Sequence, residues 1–144
     1  MPRPEETLGF LLGDAVRLMR ADFNRRVGQH GITLAQARTL RYLALRPGLR
    51  QVELAAMLEI APMTLVRLLD QLARAGHIER RRDPEDRRAF RLYATPAARP
   101  MLAVIARTVG EVRGIALRGL SGAERRTLVR ALQVIKHNLA AAAP

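Results

Sequence analysis

From Leu8 to Val27, apolar residues recur at Leu8, Leu11, Leu12, Ala15, Met19, Phe23 and Val27. Steps of three and four mark one face of a long helix. His30-Gly31 ends it, with Gly31 suited to a left-handed cap. Thr33 is placed to cap a second helix running to about Arg46, where Pro47-Gly48 stops it. Two shorter helices are predicted over about Gln51–Leu58 and Pro62–Ala75, the second closed by Gly76. Val52, Ala55 and Leu58 are expected to face inward on the first of these, and Leu65, Leu69 and Leu72 on the second.

The period then changes. Between Ile78 and Thr95 the chain reads I-E-R-R-R-D-P-E-D-R-R-A-F-R-L-Y-A-T. Ile78 leads into a charged run with Pro84 at a turn, and Phe90, Leu92 and Ala94 then alternate with Arg91 and Tyr93. This predicts a hairpin with an arginine-rich tip and one half-buried strand. After it, Thr95-Pro96 should cap and open another helix, with Pro100 bending or tightening its first turn. Leu102, Ile105, Val109, Val112 and Ala116 form that helix's stripe, and Gly119 breaks it. Ser121-Gly122-Ala123-Glu124 is a capping-box pattern for a final helix striped by Leu128, Leu132, Ile135 and Leu139.

The order is four helices, a hairpin and two helices, a mainly α (α+β) fold. It reads as one domain over residues 1–144, with a winged helix-turn-helix lobe at 33–94. The long helices at 1–32 and 95–144 carry more apolar stripe than a small core can absorb. Packing against a second copy is expected, a symmetric homodimer being the commonest closed solution; an intramolecular bundle is the alternative.

The 144 residues carry a formal charge of +12. A field of that size draws polyanions. The basic residues are nearly all arginine, Lys136 being the only lysine, and arginine's fork suits phosphates and guanine edges, although codon bias would give the same composition. With no cysteine, disulfides and thiol switches are excluded. No stretch approaches the roughly 20 apolar residues of a membrane span, and the N-terminus does not read as a signal peptide. A cytoplasmic, nucleoid-associated protein is expected.

The helix from Pro62 presents Thr64, Arg67, Gln71 and Arg74 opposite its apolar face, the arrangement of a helix laid in a major groove. Arg67 can fork onto guanine, Thr64 can meet a base or phosphate, and Ala61, Pro62 and Met63 can touch thymine methyls. Gln51, at the start of the preceding helix, joins this set. At the hairpin tip Arg87 can enter a minor groove, Asp86 can hold an arginine fork extended, and Arg82 and Arg88 can serve phosphates. The alternative is a solvated, salt-bridged loop, since arginines and acidic residues are interleaved there.

The signature D-P-E-D-R-R followed by L-Y-A-T-P resembles the MarR family of bacterial transcriptional regulators, and the likeness extends over essentially the whole chain. T-L-V-R-L-L-D-Q-L-A-R-A-G-H-I-E-R and R-G-L-S-G-A-E are similar to its SlyA-like branch. The resemblance implies a homodimer on double-stranded DNA, at an imperfect palindrome with half-sites about one helical turn apart. It also implies that Arg87 reads the minor groove. Glu59 departs from the glycine many relatives carry in the helix–helix turn. Either it takes φ > 0 or the turn is reshaped.

Family members commonly release DNA when a small, often aromatic, anion binds between the dimerisation helices and the DNA-binding lobe. Arg17 and Arg20, matching basic positions of the SlyA-like branch, could clamp such a carboxylate, with Thr33, Arg38 and Tyr42 completing the site. Salt bridges are the other use for Arg17 and Arg20. His30, His77 and His137 have no metal-binding spacing, and no cofactor is expected. His77 is expected at the turn into the hairpin, structural or facing a phosphate. No constellation supports an enzyme. A repressor released by a small aromatic carboxylate is the favoured reading; a non-sensing architectural DNA-binding protein is the alternative.

Overall fold

The computed structural model describes Met1 and residues 3–144. Its helices are α1 (Leu8–Gly28), α2 (Leu34–Leu45), α3 (Gln51–Leu58), α4 (Pro62–Arg74), α5 (Arg99–Ala116) and α6 (Gly122–Ala141), and its strands are β1 (Leu49–Arg50), β2 (Ile78–Arg82) and β3 (Phe90–Ala94). The chain forms two compact units, Met1–Val112 and Arg113–Pro144, the division falling inside α5.

In the first unit the core is built from Leu40 and Leu43 of α2, Leu54 and Leu58 of α3, Leu65, Leu69 and Leu72 of α4, and Leu92 of β3, with Val27 and Ile105 closing it from α1 and α5. Each such side chain contributes about 1.5–3 kcal/mol by leaving water. On α3 the inward set is Leu54, Ala55 and Leu58, while Val52 stands 78% exposed, correcting the expected stripe. Leu54, Leu58 and Ala55 share one side, with Leu58 between the other two, and at about 100° per residue Val52 lies roughly 120° round from Leu58.

Thr33 caps α2 as expected. Its Oγ1 accepts from the Gln36 N–H at 3.1 Å, and Gln36 Oε1 accepts from the Thr33 N–H at 3.1 Å. Thr95 does not cap the following helix; its hydroxyl donates to the Gly76 carbonyl instead. The chain tightens into a single 3-10 turn at Pro96–Ala98, and Pro100 falls at the second position of α5, where its missing N–H costs no intrahelical bond.

The hairpin acquires a third strand that the periodicity did not show. The antiparallel sheet runs β1-β3-β2, pairing Leu49 with Leu92 and Arg50 with Arg91 on one side, and Ile78 with Ala94 through Arg82 with Phe90 on the other. Leu92 is buried, but Phe90, expected to share the inward face, is 44% exposed where the strand leaves the core. Before β1, Gly48 takes φ +86°, and a β-carbon there would lie 3.1 Å from the Tyr93 hydroxyl, so both conformation and space call for glycine. Glu59 resolves the question at the helix–helix turn. It sits in the left-handed region, φ 56° and ψ 42°, as the C-cap of α3, so the turn keeps its shape and a glutamate adopts it.

Within this unit α1 leaves Leu8, Phe10, Leu11 and Leu18 exposed, and only its C-terminal end, at Val27, is buried. In the second unit Ser121 and Glu124 form the expected capping box, through bonds of 3.2 and 2.7 Å, and start α6. Leu128, Val129, Leu132, Val134 and Leu139 are all exposed along it. Among the described residues no helix is long and apolar enough to cross a membrane.

Candidate nucleic-acid interface and ligand crevice

Helix α4 is the most sharply two-sided element of the fold. Leu65, Leu68, Leu69 and Leu72 are buried, and Ala61, Pro62, Met63, Thr64, Arg67, Gln71 and Arg74 are exposed. Ala61 precedes the first turn without a side-chain cap, and Pro62 occupies the first helical position. The leading backbone N–H groups therefore have no side-chain partner and point out of the helix end, a geometry that favours phosphate. Gln51, half-buried at the start of α3, lines a hollow together with Pro62 of α4. Asp70 accepts from Arg80 at 2.7 Å, an ion pair between α4 and β2.

The hairpin sorts its arginines into two groups. Arg80 is paired with Asp70. Arg81 is paired with Glu79 and lies 4.1 Å from the centre of the Tyr93 ring. Arg91 lies 3.2 Å from Asp83. Arg82, Arg87 and Arg88 are exposed and, among the described residues, have no carboxylate within ion-pair distance; the same holds for Arg67 and Arg74 on α4. The hairpin's ion pairs thus involve Arg80, Arg81 and Arg91 on its strands. On α4 and the hairpin, the cations left free are the ones expected to meet DNA.

Asp86 departs from its expected role. Its Oδ1 accepts the Arg88 backbone N–H at 3.0 Å and shapes the tip turn, and no guanidinium is bound to it among the described residues. The arginine-holding carboxylate is Asp83, which no local sequence pattern distinguishes from its acidic neighbours. It accepts from Arg50 and from the Glu85 N–H. The Glu85 N–H and then Arg50 hold its carboxyl below the ordinary range against the opposing effect of burial, and Asp83 in turn raises Arg50. His77 lies half-buried at the turn into β2 with Nδ1 unbonded.

Helices α1, α2 and α5 line a crevice of about 200 Å³, walled by Met19, Arg20 and Phe23, by Leu34, Ala37, Arg38 and Arg41, and by Ile105, Val109 and Val112. The structure brings Arg20 and Arg38 together on its walls and adds Arg41. Arg41 follows Arg38 by three residues on one helix face, a spacing that could have revealed it. Arg17, Thr33 and Tyr42 fall elsewhere. Arg17 pairs with Asp14 at 3.1 Å and lines another hollow with Arg20 and Glu59. The Thr33 hydroxyl is committed to its cap, and Tyr42 faces an adjoining hollow with Arg38, Arg41 and Leu45. Arg38 also donates to the Leu58 carbonyl at 3.4 Å, next to the strained turn at Glu59. Below the crevice Arg26 bridges Asp22 and Glu111 at 2.8 and 3.1 Å, joining α1 to α5. Its hydrogen bond lowers the Asp22 carboxyl, and Asp22 raises Arg26. Among the described residues no three acidic or histidine side chains gather as a metal site would require.

A family model for the MarR family matches residues 30–89, the stretch holding α2 to α4, β1, β2 and the loop that leads to β3. The solved transcriptional regulator PA3341 is 34% identical, with 92% of this chain and 98% of that one aligned at a TM-score of 0.81. The chain belongs to the MarR family. A crystal structure of MarR aligns at 26% identity over 97% of this chain and 95% of that one, with a TM-score of 0.84. Wild-type apo MarR from E. coli gives 25%, 90%, 96% and 0.79 for the same measures. The small three-stranded sheet beside α4 is the wing of this winged-helix family of DNA-binding transcription regulators, and its MarR fold implies DNA-binding regulation.

Proposed function

We propose that this protein is a repressor that binds a palindromic operator as a homodimer and leaves it when a small aromatic or anionic ligand binds. The observation that carries the DNA reading is that α4 and the wing together present Arg67, Arg74, Arg82, Arg87 and Arg88, each exposed and, among the described residues, without a carboxylate partner. In this reading α4 lies in the major groove, Arg67 meets a guanine edge, Thr64 and Gln71 meet bases or phosphates, and Ala61, Pro62 and Met63 approach thymine methyls. Arg87 enters the minor groove, and Arg74, Arg82 and Arg88 hold phosphates. The protein works at the nucleoid, in the SlyA-like part of the family. Dimerisation is supported by the apolar side chains left exposed along α1 and along α6.

Ligand response is supported by the apolar crevice with Arg20, Arg38 and Arg41 on its walls. Its volume suits a single ring bearing a carboxylate rather than a drug-sized molecule, for which about 300 Å³ or more is typical. A carboxylate claiming Arg38 competes with the bond from Arg38 to the Leu58 carbonyl, and so reaches the turn that sets α4.

The test is binding to duplexes selected from a random pool by the full-length protein. Arg87→Ala should weaken binding to the selected sequence by about 1–3 kcal/mol with the fold intact, and unchanged affinity removes the minor-groove role. Benzoate should release the wild type and not an Arg20→Ala/Arg38→Ala variant; an equal response in both removes the crevice as the sensor.

A further inference from the structure

Among the described residues Asp83 is the only buried acidic residue, and its side chain has no exposed surface. It stands where β2 becomes the wing loop. Its Oδ2 accepts from Arg50 Nε at 2.9 Å and lies 2.8 Å from Arg50 Nη2 and 3.2 Å from Arg91 Nε, while its Oδ1 accepts the Glu85 N–H at 2.9 Å. Arg50 belongs to β1 and precedes α3, where its own N–H donates to Glu53 at 2.8 Å. Arg91 reaches back to the Gly48 carbonyl at 3.3 Å. One enclosed carboxylate therefore joins the base of the wing to the start of α3 and to the central strand.

Burying a charge and its partners gains little net stability over an apolar cluster of similar volume. What such a node supplies is a fixed geometry. Beyond it the loop from Pro84 to Arg88 is exposed and is held by the Asp86 turn and by the bond from the Asp83 N–H to the Ala89 carbonyl at 3.0 Å.

We propose that Asp83 is a positioning residue: it touches no DNA, but it latches the wing to the helix-turn-helix so that Arg87 and Arg88 meet the duplex in register with α4. This rests on the DNA-binding reading above.

Two measurements test it. The first is a double-mutant cycle on the selected duplex with D83N, R87A and the pair. D83N should weaken binding about 10-fold, and adding it to R87A should cost clearly less than that, because only Arg88 is then left on the tip to position. Wild-type affinity in D83N, or losses that simply multiply, overturns the proposal. The second is amide hydrogen exchange on free protein. D83N should speed exchange at Glu85 and along the wing while leaving α4 protected, and unchanged wing exchange overturns the latch without reference to DNA. If D83N does not fold, R50Q breaks the same node from the other side and takes its place. If selection enriches no duplex, the DNA reading fails while exchange still decides the latch.

Discussion

The division of arginines into paired and unpaired predicts a particular salt dependence. Arg74, Arg82 and Arg88 are exposed, carry no carboxylate partner among the described residues, and are assigned to phosphates, three on each protomer. A dimer then makes about six phosphate contacts, and each released counterion contributes about 0.9 to the slope of log K against log salt, so the slope should be about −5. Arg82→Gln removes one contact per protomer and should flatten the slope by about 2. Arg80→Gln is the control. Arg80 has the same charge and lies two residues away, but it is held by Asp70 at 2.7 Å, so its loss should leave the slope nearly unchanged. Fluorescence anisotropy on one duplex from roughly 50 to 200 mM salt reads all three proteins. An unaltered slope in Arg82→Gln, or an equal change in Arg80→Gln, refutes the sorting of the wing into structural and DNA-facing cations.

Two further predictions concern stability. Glu59 at φ 56° carries the left-handed penalty of about 1–2 kcal/mol for a residue with a β-carbon. Glycine relieves it but loosens the unfolded chain by about 0.4–1 kcal/mol, so Glu59→Gly should be neutral to about 1.5 kcal/mol stabilising and Glu59→Val clearly destabilising in urea melts; a loss in the glycine variant contradicts the strain. Asp83 and Asp22 have carboxyls held below their ordinary value by the Glu85 N–H and by Arg26 respectively. Their contribution is complete above the unfolded value near about 3.9 and disappears as pH falls toward and through the lowered folded values. The urea midpoint should therefore fall on acidification below about pH 4, and Asp83→Asn should make that fall shallower; an unchanged acid limb in the variant contradicts the linkage.

What could be read in the chain was whatever a local pattern controls. The caps at Thr33 and Ser121 lie within three residues of their partners, and the α4 stripe repeats often enough to define its buried side. β1 was illegible because two residues, Leu49 and Arg50, carry no period. Asp83 looked like one acid among many, since its burial depends on Arg50, 33 residues earlier. Asp86 beside Arg87 looked like a clamp, but a short side chain in a turn finds the nearer backbone N–H first. Arg17 suits a ligand by its match to the SlyA-like branch and Thr33 by residue type, but local partners at Asp14 and Gln36 take them. Val52 and Thr95 were placed by spacing, and three-dimensional packing put one outside the core and bonded the other to Gly76.

The most direct test of the account is hydroxyl-radical footprinting of the selected duplex. It should show protection over two symmetric half-sites whose centres lie about one helical turn, roughly 10 base pairs, apart, flanked by minor-groove protection that vanishes in Arg87→Ala. Uniform protection along the duplex, or a pattern indifferent to Arg87, would contradict it.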